Sequence, residues 1–377
     1  MTASQPAAGL ARSSELDQAF DDAGATLADV RAVIPRSAFQ RDYRRAFAYL
    51  LVAAGSLVGS VAFSALVWAR ELAWLFPAAW FLTGTSFMAL FIIGHDCGHN
   101  SFFPSRAWNV RAGHLVFIPL GYAFHAWKYF HDAHHRRTNG LGKTLVDVLR
   151  GEMDLRHDTA FVPLTVEEGA ALGRASAVLS FAYRLTRTFP PFATWVLPVI
   201  LLALFHSASA GERRAAAASS VFVIVVGSIV AAGIVWLAGS PWGLVHFWVL
   251  PHVVFSIWFG IYAFLQHTAE DVPVFSPEAW APYRAQFLGS VNCRFPRWVG
   301  FWHGDGDLHL PHHIAATIPS YRLREANEAL RASKFGPLMK ERDFSFAYLF
   351  RQLRACHLWD VRRGAYVRFA RRRIRGG

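Results

Sequence analysis

The chain has 377 residues, of which 54% are hydrophobic and only 17% charged, and its Lys and Arg residues exceed its Asp and Glu residues by twelve. In soluble globular proteins about a quarter of the residues are charged, so this composition disfavours a soluble protein and favours a membrane protein. The basic excess suits anionic lipid headgroups or an acidic protein partner, whereas no compact soluble domain is expected that could bind nucleic acid.

Four apolar runs are long enough to cross a bilayer, at about 1.5 Å per helical residue and about 30 Å of hydrocarbon. The runs cover residues 46–69, 72–94, 215–238 and 242–266. Only a few residues separate the first run from the second and the third from the fourth, which predicts two helical hairpins. We therefore expect an all-α integral membrane protein with a cytosolic N-terminal segment (1–45), one membrane domain (46–360) and a basic tail (361–377), and with a helical cytosolic cap that carries a di-metal site.

Two shorter apolar segments need a different interpretation. Residues 112–127 include His114, Pro119 and His125, and are too short and interrupted to span, so a re-entrant or interfacial segment is expected. Residues 190–206 could form a short span or an interfacial helix, and we favour the interfacial helix.

Eight of the 17 histidines lie in three short boxes, one with the pattern H-x-x-x-H and two with H-x-x-H-H. On a helix, positions three and four apart share a face, so each box can direct its imidazoles at one point. Imidazole binds Fe, Zn, Cu or Ni, and eight rings suit two ions better than one. Accidental clusters remain the alternative for any single box. The boxes contain His95 and His99, then His131, His134 and His135, then His309, His312 and His313.

Four spans place the three boxes on one side of the membrane, whereas a span over 190–206 would separate the third box from the others. The positive-inside rule predicts that this side, with both termini, is cytoplasmic. Four aspartates beside the boxes are candidates to orient the rings through their second nitrogens, or are simply solvated. The basic residues are Arg41, Arg44, Arg45, Arg136, Arg137, Arg213, Arg214 and Arg371–Arg373, and the aspartates are Asp96, Asp132, Asp305 and Asp307.

The three cysteines, Cys97, Cys293 and Cys356, fit no disulfide framework and no C-x-x-C site. Cys97 lies inside the first box but off the helical face that carries its two histidines, so we expect it to pack rather than to bind metal. No H-E-x-x-H sequence of a zinc metalloprotease occurs.

The segments HDCGHNSFF, HDAHHRRTN, QHTAEDVPVF and DLHLPHHIAATIPSYRLREA, in that order, resemble the membrane fatty acid desaturases, specifically the acyl-lipid delta-12 (omega-6) group. The resemblance covers about residues 45–360. It implies two non-haem Fe ions that use O2 and two electrons to introduce a cis double bond into a lipid acyl chain. It also implies that the eight box histidines are ligands, with His267 as a ninth. No H-P-G-G segment of a fused cytochrome b5-like domain is present, so we expect a separate electron donor of the ferredoxin or cytochrome b5 type.

Residues 140–157 depart from the family pattern and look like an insertion, before residues 158–163 resemble it again. This departure concerns head-group contacts and regiochemistry rather than the metal site. Two other functions stay open. A histidine-box lipid or carotenoid hydroxylase or ketolase would share the metal and the topology but not the fate of the substrate radical. A histidine-lined metal transporter should carry ionisable residues within its spans, which are nearly free of charge here.

Overall fold

The computed structural model describes residues 26–142, 158, 162–191 and 209–369, and within these ranges the chain is mostly helical. The helices are Leu27–Ala32 (α1), Tyr43–Ala69 (α2), Ala73–Gly98 (α3, with a 3-10 first turn), Arg106–Phe117 (α4), Phe124–Arg137 (α5), Val166–Ala175 (α6), Ala177–Thr188 (α7), Ala210–Ala238 (α8), Trp242–His267 (α9, with a π-helical turn), Pro282–Leu288 (α10), Arg297–Trp302 (α11), His309–Ile314 (α12), Leu323–Ala332 (α13) and Phe346–Ala355 (α14).

Four helices of the described chain are long and apolar enough to cross a membrane, namely α2, α3, α8 and α9. They correspond to the four predicted apolar runs. Two of them begin earlier than their runs because polar side chains cap them: the Asp42 side chain accepts from the Arg44 backbone N–H, and Ser209 and Glu212 form a capping box at the start of α8. Gly239 caps the C-terminus of α8 in the left-handed conformation, with a φ of 63° that favours glycine.

The predicted re-entrant segment forms the end of α4, a turn and the start of α5, and neither helix has spanning length. The turn lies against α9, since the indole N–H of Trp248 donates to the Pro119 carbonyl at 2.8 Å. Aromatic packing fills the space between these elements, where Phe117 stacks on Phe91 at 5.9 Å between ring centroids. The helix pair therefore joins the first two boxes without a further crossing.

The cap is built from short elements after α9 together with the N-terminal helix α1. Val30, Ile34 and Ala38 are buried in one apolar cluster with Leu310 and Ile314 of α12. The N-terminal residues from 27 onward thus pack on the helix that carries the third box. All three cysteines are buried and free, and the burial of Cys97 agrees with the packing role expected for it.

The described chain is mostly helical, as expected, and it also holds two small sheets that the sequence did not predict. Strands Asn292–Arg294 (β1) and Glu341–Asp343 (β2) pair in parallel, and Leu358–Asp360 (β3) and Ala365–Val367 (β4) pair antiparallel. Pairing satisfies backbone N–H and C=O groups that would be costly to leave unpaired, most clearly in β1, where Asn292 and Cys293 are buried.

Some sequence expectations fall on residues that the structure does not describe. The helix expected over 190–206 lies outside the described residues except for Pro190 and Pro191. Residues 143–157 of the suspected insertion lie outside them as well, as do Arg371–Arg373 of the tail.

Candidate metal centre

Four helices bring histidines to one place where the membrane helices meet the cap. The last turn and C-cap of α3 carry the first box, α5 carries the second, and α12 carries the third. His267 is the last residue of α9. α5 and α12 each contribute to two clusters, because positions three and four apart on a helix point in slightly different directions.

The nine histidines form two clusters, and within each cluster the ring nitrogens lie within 4.8 Å of one another. The first cluster contains five residues and the second contains four. Both are assembled from at least three separate segments of the chain, so only the folded protein holds them together. The first cluster is His95, His99, His131, His135 and His312, and the second is His134, His267, His309 and His313.

The second cluster has the geometry of an ion site. The Nδ1 of His134 donates to the Asp158 carboxylate at 2.8 Å, and the Nδ1 of His267 donates to the Gly289 carbonyl at 3.1 Å. A neutral imidazole has one N–H, so the Nε2 atoms of both rings carry lone pairs. These two Nε2 atoms face each other at 3.2 Å, and the Nε2 of His309 lies 2.7 Å from that of His267. Lone pairs at such distances repel, and a shared cation removes the repulsion.

The first cluster repeats this arrangement. The Nε2 of His135 lies 3.0 Å from the Nε2 of His131 and 3.0 Å from that of His312. Among the described residues, the buried Nε2 atoms of His99 in this cluster and of His313 in the second have no hydrogen-bond partner. Buried polar atoms are seldom left unpaired, and a metal ion in each cluster would satisfy these nitrogens. The donor set therefore fits two metal ions.

Burial keeps the rings in the form that binds metal. Loss of hydration lowers the pKa of six clustered histidines outside the spans well below the ordinary value, and neighbouring histidines lower the pKa further. Neutral rings at pH 7 leave their lone pairs free for an ion. The histidines with this depressed pKa are His99, His131, His135, His309, His312 and His313.

One of the four expected aspartates contacts a clustered histidine directly. Asp96 places its Oδ1 at 3.2 Å from the Nδ1 of His95, and its Oδ2 accepts from the Ser320 backbone N–H at 2.6 Å. Asp96 therefore ties the first box to the segment that follows the third. Asp132 has a different partner, because it forms an i,i+4 ion pair with Lys128 at 2.6 Å on the partly exposed face of α5.

The other two aspartates stabilise the approach to the third box rather than the rings. Asp305 pairs with Arg324 of α13. Asp307 accepts from the Phe295 backbone N–H at 3.1 Å. Both carboxyls have a raised pKa because burial penalises their charged forms. They fix the loop before α12 in place.

Three groups that orient the rings were missed in the sequence. Asp158 lies beyond the suspected insertion, and its second oxygen accepts from the Asn139 backbone N–H at 2.7 Å. Gln286 of α10 accepts from the Nδ1 of His313 at 2.8 Å and donates to the His135 carbonyl. The third group is the Gly289 carbonyl. Asp158 opens a segment that resembles the family, which could have pointed to it, whereas nothing in the sequence marks Gln286 or Gly289.

Aromatic rings line the membrane side of the first cluster. Trp127 stacks on His131 at 4.6 Å between ring centroids, and Phe91 meets Trp127 edge-on at 5.5 Å. Tyr122 and Phe255 continue the apolar wall away from the metal centre. The first cluster thus borders a wall of apolar side chains.

Known proteins resemble this chain over most of its length. Residues 72–343 match the family described as fatty acid desaturase. The chain is 30% identical to an sn-1 oleoyl-lipid 12-desaturase of Picosynechococcus over 93% of this chain and 94% of the relative. It is 32% identical to the protein of the same name from Synechocystis over 90% of each chain. A chloroplastic omega-6 fatty acid desaturase of spinach is 30% identical over 91% of this chain and 72% of its own length.

Proposed function

The chain belongs to the fatty acid desaturase family, and on this premise we propose that it introduces a cis double bond at the 12 position of an oleoyl chain bound in a glycerolipid. It is a membrane enzyme, an oxidoreductase that acts on lipid acyl chains. The observation that carries the proposal is the pair of histidine clusters where the apolar helices meet the cap. The names of the relatives support the position of the double bond and the oleoyl substrate.

We propose that the nine clustered histidines bind two non-haem iron ions. When bound, the irons would supply the redox chemistry by which O2, two electrons and two protons take two hydrogens from neighbouring methylenes, leaving the alkene and two waters. A zinc pair could not supply this redox chemistry, because zinc does not change its oxidation state.

The protein's own groups hold the site in its reactive geometry. Asp158, Gln286 and the Gly289 carbonyl accept hydrogen bonds from Nδ1 atoms and so fix the direction of the opposite nitrogens. The wall around Trp127 and Phe91 suits an acyl chain and limits water next to the first cluster. Pre-set ligand geometry and an apolar approach are what a reaction at an unactivated methylene requires.

Membrane orientation and electron supply complete the proposal. Two hairpins, α2 with α3 and α8 with α9, would return the chain to the side of the metal centre. Exposed Arg44, Arg45, Arg213 and Arg214 lie at the starts of α2 and α8 on that side, which supports a cytoplasmic location for the centre and both termini. The same positive charge would attract an acidic soluble donor of the ferredoxin or cytochrome b5 type.

The proposal is tested by expressing the chain in a bacterial host that is supplied with oleate and lacks polyunsaturated lipids. Mass spectrometry of the lipids should show a diene with the new double bond at position 12. His134→Ala, which removes one nitrogen of the second cluster, should reach the membrane and give no diene. A hydroxylated product without a new double bond would instead identify a hydroxylase.

Metal analysis of the purified protein tests the centre independently of the substrate. We expect about two irons per chain, as the two clusters would each hold one ion. One zinc per chain, or no metal in a folded and active preparation, would contradict the iron assignment.

A further inference from the structure

Two short helices of the cap present aromatic side chains to the outside. Trp298 and Phe301 of α11 are 52% and 69% exposed, and Phe346 and Phe350 of α14 are 66% and 51% exposed. The starts of the two helices are joined, because Phe295, two residues before α11, stacks on Phe344, two residues before α14. We call the four exposed side chains the aromatic patch. Large apolar side chains clustered on a surface mark a contact with lipid or protein, since isolated exposed ones are common but groups of them are not.

Contacts between α11 and α2 set the depth of the patch. The Trp302 indole N–H donates to the Ser56 hydroxyl at 2.8 Å, and Ser56 lies in the middle of α2. The hydrocarbon core takes up about 20 residues, so from Ala69, at the end away from the metal centre, it reaches to about Tyr49. Ser56 is then about 10 Å inside the boundary on the metal-centre side. α11 lies at that depth.

A chain of ring contacts from α9 to α14 gives a second estimate of membrane depth, which agrees with the first within about two helical turns. The Phe295 ring stacks on Tyr262 at 4.6 Å and on Phe344 at 4.4 Å, and Phe344 meets Phe346 at 5.4 Å. Counted from Trp242, about 20 residues of hydrocarbon core end near Tyr262. α14 therefore begins at the boundary between acyl chains and headgroups.

α11 packs on a candidate span whose exposed side chains would face lipid. Leu51 and Val58 of α2, on either side of Ser56 along the helix, are 71% and 69% exposed and belong to a candidate membrane span. Charged side chains flank the patch, where Arg297 is the first residue of α11 and Arg351 and Arg354 lie on α14. Long arginine side chains can reach the headgroups while neighbouring aromatic rings enter the acyl region.

We infer that α11 and the start of α14 are embedded in the leaflet on the metal-centre side, and that the aromatic patch contacts lipid acyl chains there. The cap thus has a membrane attachment of its own beside the four candidate spans of the described chain. This attachment lies close to the third box, because only a short loop joins Trp302 to His309. In that loop, the Nδ1 of His303 forms a hydrogen bond of 3.1 Å with the hydroxyl of Tyr262 on α9.

Spin labels test the depth of the patch in the whole protein. Phe301→Cys and Phe350→Cys are labelled with a nitroxide in bilayers of phosphatidylcholine and phosphatidylglycerol, and their accessibility to O2 and to a water-soluble nickel chelate is measured. Val58→Cys serves as the lipid-facing control and Glu328→Cys, on an exposed position of α13, as the water-facing control. The native cysteines are buried, so unmutated protein gives the labelling background.

We expect the ratio of O2 to nickel accessibility at both patch labels to exceed that of Glu328→Cys, with Phe301→Cys approaching Val58→Cys and Phe350→Cys, nearer the boundary, lying between the two controls. A ratio equal to that of Glu328→Cys would overturn the inference. Low accessibility to both reagents would also overturn it, because a second copy or another protein would then cover the patch. Trp298→Cys and Phe346→Cys replace either label whose variant does not fold. Product formation plays no part in the readout, so the outcome is independent of the proposed reaction.

Discussion

Asp158 holds the second cluster through one ring. It accepts from the Nδ1 of His134 at 2.8 Å, and the Asn139 backbone N–H holds its other oxygen at 2.7 Å. Asp158→Asn keeps the size of the side chain but replaces one acceptor oxygen with a donor, so the His134 ring loses its orientation. We expect about a 10–100-fold loss of metal affinity or activity, measured as iron per chain and as conversion of oleoyl lipid.

Asp132→Asn is the matched control, because the two aspartates flank the same set of histidines. Asp132 pairs with Lys128 on the partly exposed face of α5, and such a pair is worth about 0–1 kcal/mol. Iron content and product should stay within about twofold of the unmutated protein. Equal losses in the two variants would mean that Asp158 does not act through His134.

His267 lies outside the three boxes, so its role can be tested apart from them. Its Nε2 lies 2.7 Å from that of His309 and 3.2 Å from that of His134. We expect His267→Ala to abolish product formation and to lower the iron content, since an ion in the second cluster would lose one of four ring nitrogens. The measurements are diene yield and metal analysis of protein purified from the membrane.

The control for His267→Ala comes from the other end of the same helix. His246 packs among Trp68, Phe76 and Trp80 near the start of α9, far along the chain from the clusters. His246→Ala should lower thermal stability at most and keep the product. Full activity in His267→Ala would remove it from the proposed ligand set.

At the residue scale the sequence identified every histidine of the two clusters, because box spacing and a histidine at a span end are local features. It identified Asp96 for the same reason, since Asp96 is next to His95. Gln286 and the Gly289 carbonyl could not be found, because their partners are more than 20 residues away and only the tertiary fold sets the distance.

At the scale of elements, α3 and α9 lie close together at Gly84. A Cβ added there would lie 2.5 Å from the Pro251 carbonyl oxygen and 2.5 Å from the Val254 Cβ, and neither atom is the end of a flexible side chain. Gly84→Ala should therefore destabilise the protein by about 1–3 kcal/mol. The change would appear as a lower melting temperature in detergent.

Gly59→Ala on α2 is the matched control, because a Cβ there meets nothing within 4 Å. We expect its stability to stay within about 0.5 kcal/mol of the unmutated protein. A similar loss in both variants would argue that helix contact at Gly84 does not limit the stability of the bundle.

Length and hydropathy were enough to predict the four long helices, but not their ends. α2 and α8 begin before the apolar runs, since Asp42 and Ser209 cap them and arginines such as Arg44 and Arg213 continue the helix. Hydropathy detects where apolar residues start, whereas capping decides where the helix starts. The strand pairs were missed because three-residue strands carry no period that could distinguish them from loops.

At the scale of the molecule, an apolar bundle and a polar cap meet at the metal centre. α3 and α9 end in histidines there, α5 supplies rings to both clusters, and the cap brings α12 against them. The metal centre thus depends on segments from the whole length of the described chain. Sequence patterns could name its members, but the division into two clusters follows only from the packed helices.

The side of the membrane on which the centre lies is open to a direct test. Arg70 is exposed in the turn between α2 and α3, and Glu328 is exposed on the cap helix α13. If the centre is cytoplasmic, a membrane-impermeant maleimide should label Arg70→Cys in intact cells. It should label Glu328→Cys only after the membrane is permeabilised. The buried native cysteines keep the background low. The reverse pattern would place the centre and its electron donor outside the cytoplasm, because Arg70 marks the side away from the centre and Glu328 marks the side of the centre.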